Sequence, residues 1–398
     1  MPDPLGLRFS RRVPGHRAAN ALTLRAADRR ARGLPTIDLT LSNPTRADLP
    51  YPETLLQPLG LASGLQYRPE ALGLLEARQA VAADFARRGV TVDPAHLALT
   101  SSTSEAYSLL FKLLCDAGDE VLVPQPSYPL FEHLTRLDGI ASVPYPLEYH
   151  GRWTLDADAV ARACTPRTKA VLVVSPNNPT GSCVSARELA ALADVCASAG
   201  VAIISDEVFA DYLLDSPATA EPGVLAARHD VLGFTLGGLS KSVGLPQVKV
   251  GWCAVSGPPS LVADTMDRLE WLCDTYLSVS TPAQLALGAL LQDGTVVRDA
   301  IRSRLRANDR ACQQLVDAHP SCQYLRADGG WSAVIRVPTL LPEDALVLAL
   351  LDETSVLVHP GYFFDFSVGS YLVPSLLVPE PAFRAGLEPL LSWFSARV

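Results

Sequence analysis

Lysine is scarce in this 398-residue chain. Of its 33 basic residues only four are lysine (Lys112, Lys169, Lys241 and Lys249), and the rest are arginine. Arginine stays protonated, whereas lysine can lose its proton and form a Schiff base with an aldehyde. A chain that uses arginine almost wherever a cation is wanted, yet keeps two lysines within nine residues at Lys241 and Lys249, marks that stretch for chemistry. Taken alone, Lys241 would read as a solvated turn lysine. Other shortages exclude whole classes. Only 19% of residues are charged and the net charge is −9, so bulk electrostatics favour neither nucleic acid nor an anionic membrane as partner. No apolar run approaches the ~20 residues of a membrane span, and there is no signal-peptide core. The eight cysteines form no C-x-x-C pair and the seven histidines show no ligand spacing. This argues against a zinc site, any other metal site or a disulfide frame, and for reduced thiols in a cytoplasmic protein. Internal repeats and low-complexity segments are also missing.

Apolar residues make up 48% of the chain, enough for two domains with large cores. The N-terminal stretch is basic (Arg8, Arg11, Arg12, Arg17, Arg25, Arg29, Arg30, Arg32). Arginine-rich, acid-poor ends are also the composition of organellar transit peptides, but serine is sparse here and residues 21–32 read as an ordinary surface helix. Further on, the spacing predicts a short strand over 36–41, a helix over 74–88 closed by Gly89, and a strand over 96–100. A helix to about 116 follows, with Gly118 just past its end, and then a strand over 120–123. The rhythm repeats with a strand over 170–174, a helix over 185–198 ended by Gly200, and strands over 201–205 and 231–236. Apolar strands without polar alternation, separated by helices, imply an α/β fold with a mostly parallel sheet covered by helices on both faces. Ligands in such sheets bind at the carboxyl ends of the strands, where this chain has Ser102, Tyr128, Asn178, Asp206 and Lys241. After about residue 282 the texture changes: a long helical region broken at Asp293-Gly294, short strands near 331–337 and 356–359, and a final helix over 380–396. The expected division is an N-terminal arm (1–45), a large cofactor-binding domain (46–282) and a small α+β domain (283–398) that the arm joins.

An aldehyde cofactor carrying a phosphate and a pyridine ring would need several kinds of support, and each has a candidate. Ser102-Thr103-Ser104 opens a helix, where free N–H groups and the helix dipole favour phosphate; a plain serine N-cap is the alternative. Tyr128, in Pro-Ser-Tyr-Pro, could stack on a ring or simply pack the core. Asn178, in a rigid Asn-Asn-Pro-Thr-Gly turn, could donate to a phenolic oxygen or be an ordinary loop residue. Asp206 ends an apolar strand, and its carboxylate needs a partner such as a pyridinium nitrogen.

Six stretches go further in combination: Tyr67…Gly73…Arg78, Thr100-Ser101-Ser102-Thr103-Ser104-Glu105-Ala106, Pro126-Ser127-Tyr128-Pro129, Asn178-Pro179-Thr180-Gly181, Asp206-Glu207-Val208, and Ser240-Lys241 with a cation eight residues on. In this order the chain resembles, over nearly its whole length, the fold type I pyridoxal-phosphate aminotransferases of class I and II, the aspartate aminotransferase kind. The resemblance implies pyridoxal 5′-phosphate as cofactor, a Schiff base on Lys241 and a ping-pong transfer of an amino group to a keto acid or other carbonyl acceptor. It also implies that Asp206 pairs with the pyridine nitrogen, Asn178 donates to the phenolic oxygen, Tyr128 stacks on the ring, and Ser102, Thr103, Ser104 and Lys249 hold the phosphate. Tyr67 matches a tyrosine that reaches the neighbouring subunit's phosphate, which implies a homodimer with shared sites. Two other outcomes fit the same motifs: a lyase, decarboxylase or cyclising enzyme of the same fold, and, remotely, a sensing module, for which the N-terminal arm is short.

Several positions depart from the family pattern. Lys249 replaces a phosphate-binding arginine, exchanging a bidentate fork for a point charge. Gly238 stands where a phosphate-contacting serine is usual, and Ser42 replaces a glycine lining the substrate site. Val373 occupies the place of the arginine that binds the substrate carboxylate, and no arginine occurs between Arg336 and Arg384. A desolvated carboxylate needs a cation, so either Arg46 or Arg68 supplies it or the amino donor has no carboxylate. Phe209 stands where a tyrosine would donate to the phenolic oxygen, so the Schiff base is expected to titrate at higher pH than in relatives with the tyrosine. A spectral titration in which Phe209→Tyr fails to lower that pH would count against this.

Overall fold

A computed structural model describes residues 9–15, 19–215 and 222–398; Arg8 and Arg17 of the basic N-terminal stretch lie outside the described residues. Its centre is an eight-stranded sheet in the order Leu97–Thr100, Gly251–Ser256, Gly233–Gly238, Ala202–Asp206, Thr168–Val174, Glu120–Gln125, Ala141–Tyr149, Trp153–Leu155. The strands from Gly233–Gly238 to Ala141–Tyr149 are parallel. Their unbroken apolar runs reflect burial on both faces. Ile203 and Val171 pack with Leu189, Leu192 and Cys196 of the Ala186–Ala199 helix. Their neighbours Ile204 and Leu172 point the other way, to Leu110 of the Thr103–Leu114 helix and Leu269 of the Pro259–Tyr276 helix.

Local signals set several boundaries. The Ala186–Ala199 helix starts in a capping box, Ser185 Oγ accepting from Glu188 N (3.2 Å) while Glu188 Oε2 accepts from Ser185 N (2.8 Å), and it stops at Gly200 with φ +67°. The Thr103–Leu114 helix behaves differently from expectation: it ends in an extended Cys115, and Gly118, at φ +92°, serves a later turn. The expected strand over 36–41 is reduced to Ile37–Asp38, which pairs in parallel with Val356–Leu357. Residues 130–138, 157–163, 259–276 and 343–354 are helices with no counterpart among the expected elements.

Two strands run against the rest, Trp153–Leu155 at one border of the sheet and Gly251–Ser256 within it. Gly251–Ser256 is antiparallel to both its neighbours, so its first residue, Gly251, faces Thr100 and Gly238 at the carboxyl edge. Lys249 is thereby carried to the same edge as Lys241. A second, antiparallel sheet has the order Gln323–Leu325, Val334–Val337, Ser370–Val373, His359–Pro360. One hydrophobic cluster runs through both parts, holding Leu39 of the arm, Leu239 and Val243 beside Lys241, and Leu350 and Phe394 of the C-terminal helices.

Beneath the Lys241 turn lies a buried charge cluster. Arg298, 2% exposed, comes within 3.3 Å of Asp84 and 3.6 Å of Asp211, and its Nε donates to the Ser242 carbonyl at 2.9 Å. Arg87 also reaches Asp84 (3.0 Å) and Asp211 (2.6 Å), so removing Arg298 leaves two buried carboxylates sharing one partly exposed cation. Arg298→Ala is therefore expected to cost about 3–5 kcal/mol, read as a lower urea midpoint. Arg268→Ala, which removes an exposed pair with Asp264, should leave the midpoint nearly where it was; equal midpoints for the two variants would contradict a structural role for the cluster.

Candidate active site

The carboxyl edge of the large sheet and the side of the small sheet enclose a cavity of about 420 Å³. Ser102, Thr103, Ser104, Tyr128, Asn178 and Asp206 line it. Lys241, Lys249 and Ser42 line it too. Tyr67, Arg46 and Arg68 do not line this cavity within one chain. Arg46 is exposed at the end of the Pro44–Arg46 turn. Arg68 is held by Glu76 (2.5 Å) and Glu70 (3.2 Å) and, with the exposed Tyr67, borders a separate cavity of about 320 Å³.

The two ionisable groups at the centre are each shifted by burial. Asp206 is pushed above the usual carboxylate range by desolvation; the Val208 N–H (3.1 Å), the Tyr107 hydroxyl (2.8 Å) and the charge of Lys241 act the other way. Desolvation holds the Lys241 amine below the ordinary lysine range, and the Asp206 charge is what raises it. A carboxylate with a raised pKa and an ammonium with a lowered one each oppose folding when charged. The site therefore favours a ligand that brings a cation to Asp206 and takes up the free amine of Lys241. The Lys241 ammonium lies 4.8 Å from the centre of the Trp331 ring and 5.6 Å from that of Phe209, and the two rings meet edge to face at 5.4 Å.

The Lys241 backbone is fixed from three sides. Tyr212 Oη donates to the Lys241 carbonyl (2.5 Å), Arg298 Nε to that of Ser242 (2.9 Å) and Tyr51 Oη to that of Gly244 (2.6 Å). The Asn178 and Tyr128 loops are tied to each other. Asn177 donates to the Pro126 carbonyl (3.0 Å) and accepts from Ser127 Oγ (2.9 Å). Asn178 Oδ1 accepts from Ser332 Oγ (3.3 Å), which leaves its NH₂ as the donor for a ligand.

At the opposite end Ser102 is an N-cap, its Oγ accepting from Glu105 N at 3.2 Å. That leaves the Thr103 and Ser104 N–H groups as first-turn donors without intrahelical acceptors. Lys249, at φ +61°, adds a cation from a backbone region that non-glycine residues seldom occupy. Gly251 makes the approach possible: a Cβ there would lie 3.0 Å from the Ser102 carbonyl carbon and 3.1 Å from Thr103 N. Gly238 is similarly crowded, with Val250 O at 3.1 Å from its would-be Cβ, which explains why serine is not accommodated without a shift.

Tyr107, Trp331 and His359 were not among the residues expected from sequence, yet all three line the cavity. The one hint for Tyr107 was a tyrosine inside the helix that follows Ser102, whose hydroxyl needs a partner when buried. Helix-terminal donors with a lysine, an amide donor, and a buried carboxylate facing a buried amine together fit pyridoxal 5′-phosphate. Residues 53–375 match the family described as aminotransferase class I and II. Arginine–pyruvate transaminase from Pseudomonas aeruginosa is 31% identical over 388 residues, 96% of this chain and 94% of that one. Alanine aminotransferase from Mycobacterium bovis is 28% identical over 363 residues, 87% of this chain and 82% of that one. The structure of a Thermus thermophilus aspartate aminotransferase mutant superposes with a TM-score of 0.84 at 26% identity, covering 97% of this chain and 99% of that one. The chain belongs to the class I and II aminotransferase family. It is a pyridoxal-phosphate-dependent aminotransferase of the aspartate aminotransferase fold.

Because Asp206 is what raises the Lys241 pKa, Asp206→Asn should move it further down. In the apoprotein, modification of Lys241 by an amine-specific reagent should then reach half its maximal rate at lower pH in Asp206→Asn than in wild type. An unchanged or higher midpoint would show that the two groups do not interact.

Proposed function

We propose that this aminotransferase exchanges amino groups between α-amino and α-keto acids, with alanine and pyruvate as one substrate pair. The observation that carries the site reading is the burial of Lys241 and Asp206, opposite in charge, in one cavity. Pyruvate appears in the name of one relative and alanine in that of another, and the two are the keto and amino forms of one compound.

When bound, the cofactor supplies an electron sink that makes the α-hydrogen of an attached amino acid acidic. Lys241 would hold the cofactor's aldehyde carbon through Nζ. Its lowered pKa suits Nζ, when free, as the base that takes the α-proton of the substrate. Asp206 would keep the ring nitrogen protonated, and Tyr107, whose hydroxyl donates to Asp206 at 2.8 Å, orients that carboxylate. Asn178 would donate to the phenolic oxygen, Tyr128 would cover the ring, and Ser102, Thr103, Ser104 and Lys249 would hold the phosphate. Trp331 and Phe209 keep water from the amine.

The working unit is a homodimer in which Tyr67 serves the partner's cavity. In support, Tyr67 is 71% exposed and lies near other exposed apolar residues, Leu65 and Tyr276; a monomeric mass in sedimentation would overturn it. The division into an arm to residue 45, a large domain to 282 and a small domain beyond is retained, supported by the separate sheets and by the pairing of Ile37–Asp38 with Val356–Leu357. Eight free cysteines favour the cytoplasm. No helix among the described residues is long and apolar enough to cross a membrane.

Mixing the loaded enzyme with L-alanine should bleach the visible cofactor band, and pyruvate should restore it. Lys241→Ala should slow the exchange by about 10²–10⁴-fold or more. A band that bleaches with other amino acids but not alanine would refute the pair, and full activity in Lys241→Ala would refute the site.

A further inference from the structure

The position that lacks an arginine has a direct cross-strand neighbour. In the antiparallel ladder of the small sheet, Val373 is paired with His359. Residues so paired project on the same face, with Cβ atoms about 4.5–5.5 Å apart. Both line the cavity, and Val373 is 2% exposed. No arginine is among the cavity-lining residues, and its lysines, Lys241 and Lys249, are committed to the aldehyde and phosphate ends. The His359 ring is held against Phe363 (5.7 Å) and Phe364 (6.0 Å) and makes no hydrogen bond to a described residue. A mostly buried, unpartnered imidazole facing a ligand cavity is a polar group waiting for an acceptor.

We propose that His359 anchors the carboxylate of the amino-acid substrate, donating from its imidazole at the place where relatives use an arginine one rung across the ladder. The proposal rests on the reading of this cavity as the substrate site of an amino-acid aminotransferase. A single imidazole donor cannot form the two parallel bonds of a guanidinium. It grips a carboxylate best when it is itself charged. Burial holds His359 below the ordinary histidine range, with the Asp38 carboxylate opposing. Other ionisable groups on the surrounding elements are Glu343, Asp344, Asp352 and Glu353 on the Glu343–Thr354 helix, Tyr362 on the following turn and Tyr371 on the paired strand. Glu343 is already engaged, accepting from Tyr371 N (2.7 Å) and Tyr362 N (2.9 Å). Asp38 is the one that acts on His359 through its charge. Burial thus favours the neutral ring, and an arriving carboxylate favours its protonation. Carboxylate binding should accordingly weaken as pH rises.

The test uses the cofactor-loaded enzyme and 2-aminoisobutyrate, which has no α-hydrogen to lose and so binds without turnover. Titration calorimetry in two buffers of different ionisation enthalpy gives affinity and proton uptake together. Relative to wild type, His359→Phe should bind the probe roughly tenfold or more weakly at pH 6.5, with the cofactor absorbance unchanged. His359→Gln should lose the extra proton uptake seen in wild type. Val373→Arg added to His359→Phe should restore affinity without restoring that proton. Equal affinity in wild type and His359→Phe, or the same proton uptake in His359→Gln, overturns the proposal while leaving the aminotransferase reading intact. No response of the wild-type cofactor band to any amino acid would overturn that reading as well.

Discussion

The guanidinium of Arg298 joins parts of the chain that are remote in sequence to the turn that presents Lys241. It lies between Asp84 and Asp211 and donates a hydrogen bond to the Ser242 carbonyl. A tight turn at a sheet edge exposes carbonyls that water would otherwise satisfy. Here Tyr212, Arg298 and Tyr51 satisfy them in turn, and each is anchored in a different segment. The turn can move only if those segments move, so the backbone beneath Lys241 is rigid while the side chain above it stays free to react. The same dry surroundings that hold the turn also weaken the proton on Nζ. Rigidity and reactivity thus share one cause, the exclusion of water.

Opposite Lys241, the buried carboxylate of Asp206 shows how a destabilising group can be retained. Its charge is opposed by burial and only partly compensated by Tyr107 and the Val208 N–H. A ligand that brings a cation to Asp206 and takes up the amine of Lys241 would relieve that cost. The energy kept in the empty site thereby becomes affinity for a ligand of one shape and charge pattern.

Much of the sheet-edge wall of the cavity was legible in the sequence, because strands announce themselves by apolar runs and the residue after a run sits at the edge. Asp206, Asn178 and Lys241 could be found that way, and lysine scarcity singled out Lys249. How Lys249 reaches the edge could not be read, since an apolar run does not reveal that Gly251–Ser256 is antiparallel. Tyr107 meets Asp206 across 99 residues of sequence, and Trp331 and His359 arrive from a different sheet. Such contacts leave no local periodicity. Arg46 and Arg68 show the converse: proximity to site loops in sequence does not carry a side chain to the cavity of its own chain, and Arg68 is paired with Glu70 and Glu76. Gly118 misled for a simpler reason, a glycine at positive φ serving a turn rather than a helix end.

The cavity has two walls of separate origin. Ser102, Asn178, Asp206 and Lys241 come from the edge of the eight-stranded sheet, whereas Trp331, Ser332, His359 and Val373 come from the small sheet or the turn leading into it. The rung shared by His359 and Val373 belongs to a two-residue strand at the border of that small sheet. A change on this rung leaves the eight-stranded sheet and its charges undisturbed. A lineage carrying this architecture could therefore exchange one substrate for another by editing a few codons of the hairpin, while inheriting the cofactor chemistry unaltered.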